Sequence, residues 1–403
     1  MLLLIKNCNL IDMVGIHKEK YDILIKEKKI FKIEKEIDEK HLENVQVVDA
    51  KGRIVTPGLI DPHCHMGVYG TATLEGMDGN ETSNPSTPEL RAIDAIDPMD
   101  VAYDVAIKHG VTTVVTGPGS ANVIGGTFTA MKTYGNDIKD CVIKEEVCMK
   151  MALGENPKVF YGKQGKAPKT RMMNAAIMRE NLFKAKEYHS KWMEYKNNNE
   201  SNKNTSEFKY DLGMHSLMRV FDGLRVKVHA HQADDILTAI RICEEFGLRY
   251  TIDHCTAGYL IVDELKSKGV QCIIGPTAGG KSKLELQHKS LECARIFEEN
   301  GIDFAIMTDN PVIPIEGQLM QLALFIKNGL SKETALKGIT INAARLTDID
   351  DRVGSIEIGK DADIVIWNVD PLDTMSEAGI VIVDGQVIYE RKAGEIDVDY
   401  KKL

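Results

Sequence analysis

The sequence predicts an α/β chain: a (β/α)8 TIM barrel joined to a small β-sandwich domain built from both chain ends. Three observations carry that expectation. The first 57 residues are short apolar or alternating runs with no helix-period stretch. Eight strand-like runs then alternate with amphipathic stretches from about Pro57. From about Arg352 the chain returns to short strands. The expected division is 1–57 plus 345–403 for the sandwich and 58–344 for the barrel, with an insertion around 156–224.

Each element has a local reason. Residues 2–6, 22–26, 29–35 and 45–49 read as strands, broken by polar turns such as Lys26-Glu27-Lys28. Parallel barrel strands are expected at 58–65, 112–116, 127–133, 147–154, 225–231, 249–254, 271–275 and 303–308. Helices are expected at 100–109, 175–196, 233–246, 261–268, 289–300, 318–328 and 331–340. Several of these end near a glycine, such as Gly247 and Gly301, where a left-handed cap is needed. Within the insertion, 196–206 is polar low complexity and reads as a solvated excursion. The neighbouring 159–171 stretch, with Tyr161, Lys163, Gln164, Lys166 and Arg171, is a better lid candidate. Final strands are expected at 354–358, 364–367, 380–383 and 386–390, with Asp384-Gly385 as a type I′ turn.

Composition narrows the function classes. The chain has 403 residues, 43% hydrophobic and 27% charged, which suits a large soluble core. Its net charge of -10 argues against coating nucleic acid or an anionic membrane. No apolar stretch approaches the ~18 residues of a membrane span. The opening Met1-Leu2-Leu3-Leu4-Ile5-Lys6 is too short an apolar run for a secretion signal. Eight scattered cysteines, with no C-x-x-C pair, argue against a disulfide scaffold or a Cys-zinc site. A reducing, cytoplasmic setting and a small-molecule substrate are expected, and a homo-oligomer is compatible with the sequence.

The chemistry lies at the strand ends. Pro57-Gly-Leu-Ile-Asp-Pro-His63-Cys-His65 ends a strand in His-x-His, and residues two apart share a face. Two imidazoles at a barrel mouth suit Zn²⁺ or another divalent metal. Arg225-Val-Lys-Val-His229-Ala-His231 repeats the pattern. Arg249-Tyr-Thr-Ile-Asp-His254 ends in His, and Asp303-Phe-Ala-Ile-Met-Thr-Asp309 ends in Asp. In a barrel these four ends converge. Alternation turns Cys64 and Cys255 away from that point, as packing residues.

These motifs resemble the metal-dependent amidohydrolase superfamily, in the branch around imidazolonepropionase. The resemblance extends over nearly the whole chain. It includes His109-Gly-Val-Thr-Thr113, and it ends with Gly354-Ser-Ile-Glu-Ile-Gly-Lys-Asp-Ala-Asp-Ile-Val-Ile-Trp367 and Val383-Asp-Gly-Gln386. It implies that His63, His65, His229, His254 and Asp309 are metal ligands, and that Asp309 also handles the proton. His231 shares the face of His229 and is expected to touch substrate rather than metal. In the family the fourth strand supplies a bridging carboxylate or a carboxylated Lys in two-metal members. Glu155 stands in that place here, with Lys150 ranked second because it lies deeper. Counting Glu155 allows two ions sharing one carboxylate; without it one ion is expected, with Zn²⁺ the default.

The implied activity is hydrolysis of a C–N bond in a cyclic or linear amide. A divalent ion lowers the pKa of bound water from about 15.7 to ~7, giving hydroxide at neutral pH. Asp309 would pass its proton to the leaving nitrogen, with His254 on the metal or polarising the carbonyl. Two other readings stand beside this one: a mononuclear deaminase of an amino-heterocycle, and a non-catalytic relative. Among the loops, Lys281 or Lys283 after the seventh strand could meet a substrate carboxylate. The glycine-rich 117–126 segment could cradle an anion. Tyr69, Asn80, Glu81, Arg91 and Asp94 lie in the long loop after the first ligand pair, and Tyr69 is taken as a substrate contact.

Overall fold

The computed structural model describes residues 2–15, 20–70, 78–135, 137–200, 208–373 and 375–391. Strands β1 to β5 are Leu2–Leu10, Lys20–Lys26, Lys29–Glu34, Val45–Asp49 and Ile54–Pro57. Strands β6 to β9 are Leu59–Cys64, Val111–Thr116, Ile124–Lys132 and Val142–Ala152. Strands β10 to β13 are Arg225–Ala230, Tyr250–His254, Gln271–Ile274 and Phe304–Ile306. Strands β14 to β16 are Ile364–Trp367, Ala378–Val383 and Gln386–Glu390.

Both chain ends enter one hydrogen-bonded sheet, in the order β16-β15-β14-β5-β1-β2-β3, with β4 beside β1. Period-two alternation decides which side chains it buries. Leu3, Ile5, Ile23, Ile25, Ile364, Ile366 and Ile382 form one apolar cluster, while Leu4 and Leu24 pack elsewhere with Ile37. Asp384 and Gly385 both have positive φ, 49° and 73°, as a type I′ turn requires. The strand expected at 354–358 does not form; that stretch is turn and irregular chain.

The other sheet is a nearly closed eight-stranded barrel in the order β13-β12-β11-β10-β9-β8-β7-β6. All eight expected strands are present, but they are not all parallel. β8 runs antiparallel to both β7 and β9. The cause is chain length. Residues 117–123 are all that joins β7 to β8, and a parallel crossover needs about a dozen residues or more. The remaining neighbours pair in parallel. Beyond β13 the chain bridges to β6: Asp309 N–H donates to the His63 carbonyl (3.1 Å), and His65 N–H to that of Asn310 (2.9 Å).

Helices cover the outside. Val226, Val228 and Ala230 of β10 pack with Ile236, Ala239, Ile240 and Cys243 of the helix Ala233–Phe246 in one large core. That leaves Lys227 and His229 for the interior. The insertion is largely helical, with Glu155–Lys163, Arg171–Glu200 and Leu212–Met218. The polar stretch expected as an excursion from 196 is helical as far as Glu200, and 201–207 lie outside the described residues.

The sequence motif Gly359-Lys-Asp-Ala-Asp363 ties the two sheets together. Lys132, at the end of β8, is buried and sits 3.0 Å from Asp361, 3.4 Å from Asp384 and in direct contact with Asp363. Asp361 also binds Arg352 (2.8 Å) and Lys29 (2.5 Å). Burial alone would push the Asp361 carboxyl up, but Lys132, Lys29 and Arg352 pull it down to about 2. Removing one partner of such a cluster strands buried charge. We therefore expect Lys132→Met to cost roughly 3–5 kcal/mol in urea unfolding. The stabilisation lost in Asp361→Asn should be fully present above the ordinary carboxylate pKa of about 3.9 and disappear as pH falls toward 2. A pH-independent difference would refute this account.

Candidate metal centre

Two groups of side chains at the barrel mouth bring ligand atoms within 4.8 Å of one another. One is His63, His65 and Asp309; the other is His229, His231 and His254. Their rings are mutually packed, with centroids 5.4 Å apart for His63 and His65 and 4.4 Å for His229 and His254.

Local backbone explains how each arrives. His63 and His65, two residues apart at the end of β6, share the inner face after a register shift between Asp61 and Cys64. His229 of β10 is in register with Asp253 of β11, so Asp253 also points inward. His254 is next in line and alternation would send it outward. A left-handed backbone (φ 68°) turns it back into the mouth, whereas Asp309, also left-handed (φ 56°), follows the inward face of Ala305 and Met307. Such conformations cost energy in residues other than glycine and collect at functional sites.

Three of the imidazoles are oriented through their other nitrogen. His63 Nδ1 lies 2.5 Å from Asp253, His65 Nδ1 2.7 Å from the Gly117 carbonyl, and His254 Nδ1 2.8 Å from the Gly275 carbonyl. These acceptors take the ring proton and leave Nε2 with a lone pair. Burial, reinforced by neighbouring cationic groups, pushes His63, His229, His231 and His254 well below the usual imidazole range, so they are neutral. Burial would raise Asp309, but the close His65 ring and the charge of Lys150 bring it below the ordinary carboxylate value. The buried His229 Nδ1 has no hydrogen-bond partner among the described residues. Neutral imidazoles with free lone pairs, one carboxylate and an orphaned nitrogen fit a divalent cation.

Residues 54–389 match the model of the amidohydrolase family. The chain belongs to that family. A solved amidohydrolase from Thermotoga maritima MSB8 is 36% identical, with a TM-score of 0.91 over 96% of this chain and 100% of that one. Amidohydrolase tasK of Hapsidospora irregularis is 27% identical over 92% of this chain. The match covers only 40% of tasK's length. An imidazolonepropionase of Staphylococcus aureus (strain MRSA252) is 24% identical over 86% of this chain and 84% of its own. The match to the imidazolonepropionase-related branch therefore extends along most of the chain.

Against the family expectation, the fourth-strand position is corrected. Glu155 is in neither cluster. The chain turns at Gly154 (φ 85°) to start a helix, and the Glu155 carboxylate accepts from Glu285 N–H (3.2 Å). Lys150 reaches the centre instead, with Nζ 3.2 Å from His63 Nε2. Burial lowers its pKa to about 8. His231, expected as a substrate contact, sits inside the three-imidazole group, with Nδ1 2.7 Å from Thr256. Lys281 is turned away and donates to the Gln287 carbonyl (2.7 Å); Lys283 lines the cavity in its stead. Tyr69 does line the cavity, packed against His65 at 4.9 Å and hydrogen-bonded to Asn80. Arg91 and Asp94 pair with each other at the surface. Cys64 and Cys255 are buried in the apolar core.

Sequence reasoning missed Asp253 and Lys227. Lys227 Nζ sits 2.9 Å from Asp253 and 3.2 Å from the Pro62 carbonyl, and both side chains are fully buried. Thr251 donates to the other Asp253 oxygen (3.0 Å). The signal was available, since Lys227 and His229 alternate on one face of the same strand. Asp253 thus orients His63, and Lys227 balances its charge. We expect Asp253→Asn to weaken metal affinity about 10- to 100-fold in a chelator competition. Unchanged affinity in a folded variant would sink this role.

Proposed function

We propose that the protein is a metal-dependent hydrolase that cleaves the C–N bond of a cyclic or linear amide. One observation carries the reading. Asp309 Oδ1 lies 3.1 Å from His65 Nε2 and 3.7 Å from His63 Nε2, and the same residue lines a cavity of about 1030 Å³. A carboxylate able to accept a proton therefore stands beside two candidate ligands at the edge of the space open to substrate.

The residues that would hold metal are His63, His65 and Asp309 in one group and His229, His231 and His254 in the other, with Lys150 in reach. A bound divalent ion, Zn²⁺ by the chemistry of this donor set, supplies an activated water and positive charge for the carbonyl oxygen. Asp309 takes the proton of the attacking water and returns it to the leaving nitrogen. Asp253 and the Gly117 and Gly275 carbonyls hold His63, His65 and His254 in one tautomer. Burial pushes the Tyr69 phenol up to about 12, so it keeps its proton and can donate. Val159, Phe160, Leu286 and Val312 line the same cavity and exclude water around the substrate body. The relatives named for imidazolonepropionase support cyclic amides as first substrates to try. Eight free, buried cysteines support a reducing, cytoplasmic setting. No helix among the described residues is long and apolar enough to cross a membrane.

Two measurements test this. Chelation should abolish amide hydrolysis and re-addition of Zn²⁺ should restore it; equal activity of both forms on every substrate turned over would end the reading. Asp309→Asn should lower kcat by about 10²- to 10⁴-fold, the range expected for loss of a general acid–base group.

A further inference from the structure

On the wall of the cavity, away from Asp309, one lysine is held in a built setting. Lys283 lies on the loop after β12 and lines the cavity. Its Nζ is 2.6 Å from Glu285 Oε1 and 2.8 Å from Asn156 Oδ1. Glu285 is fully buried, and its other oxygen accepts from Glu155 N–H (2.9 Å). Asn156 is fixed in turn: its amide nitrogen lies 2.7 Å from Ser120 Oγ and 3.3 Å from His229 Nε2. Only one amide side chain therefore separates the ammonium from a candidate metal ligand.

An ammonium has three protons, and these two contacts engage two of them. The third is left for a ligand in the cavity. The other charges around the cavity point the same way. Lys163 also lines it, as does Lys289, which donates to the Gly279 and Gly280 carbonyls; of its two carboxylates, Glu155 accepts from Glu285 N–H and Asp309 is a candidate metal ligand. With Asp309 set aside for the metal, a wall whose lysines outnumber its carboxylates favours an anion. The apolar residues Val159, Phe160 and Leu286 would hold the body that carries it.

We infer that the substrate is an amide bearing a carboxylate close to its scissile bond, and that Lys283 binds this carboxylate, with Asn156 and Glu285 as positioning residues. The inference rests on the hydrolase reading above and narrows its substrate class. Glu285 cannot serve a cationic substrate directly, because it is buried behind Lys283. If Lys283 were only the counter-ion of Glu285, the charge of the substrate would not matter.

The test compares N-acetyl-L-leucine with its N-methylamide-capped form on the Zn²⁺-loaded protein, read as acetate release. The acid should be preferred by roughly 10- to 100-fold in kcat/KM, mostly through KM, as one charge-assisted hydrogen bond would give. Lys283→Met should bring that ratio toward one, and Lys283→Arg should keep most of it. If Lys283→Met fails to fold, the comparison on the native protein still decides. Equal rates, or a preference for the capped compound, overturn the inference and leave the hydrolase reading intact. Should neither compound be hydrolysed, calorimetric binding of the two is compared: tighter binding of the acid supports the subsite, while equal or absent binding overturns it. The chelation experiment judges the hydrolase reading separately.

Discussion

Asp253 lies in the middle of the barrel, out of reach of water, between an imidazole and an ammonium. His63 is 2.5 Å away on one side and Lys227 2.9 Å on the other. A lone carboxylate there would be costly to bury, and so would a lone ammonium. Together they form a neutral pair that can afford to face inward, and the spare hydrogen bond fixes the first histidine of the centre. The rest of the mouth is arranged around that fixed point. His63 meets Lys150 and Asp309, Asp309 meets His65, and His229 and His254 close the ring from the next two strands.

Strand geometry made part of this legible. Period two places His63 with His65 and Lys227 with His229, so those groups can be read directly from sequence. The same rule fails at His254, where alternation points outward and only a left-handed residue brings the ring inside. Asp309 obeys the rule, two residues on from Met307 on the inner face. Lys150 reaches the centre for a different reason. It is level with Lys227, one layer below His229, so its Cα is indeed deep. Its long side chain climbs back to His63, and reach of that kind has no signature in strand position. A count of residues puts Glu155 at the strand end, but the turn at Gly154 (φ 85°) carries it into a helix.

Strand direction was the other blind spot. Hydrophobic pattern marks where β8 lies but not which way it runs. The brevity of 117–123 held the answer, because no helix fits into it. That short connection has a consequence at the site. Gly119, Ser120 and Ala121 line the cavity directly, where a crossover helix would have carried the chain away. Ser120 is thereby placed to hold Asn156, and Asn156 to hold Lys283.

Two layers of polar contacts therefore meet at His229, and they differ in origin. Below it, the groups that orient the candidate ligands come from strand interiors, where burial and register leave them little freedom. Above it, Asn156, Lys283 and Glu285 come from a helix start and a loop, which the barrel does not dictate. Chemistry set by strands and selectivity set by loops can vary separately. The fully buried Glu285 is informative here, because a surface lysine needs no such partner. Burying a carboxylate is costly, and Glu285 is buried where it meets the Lys283 ammonium on one side and the His231 and His229 rings, 3.6 and 3.9 Å away, on the other.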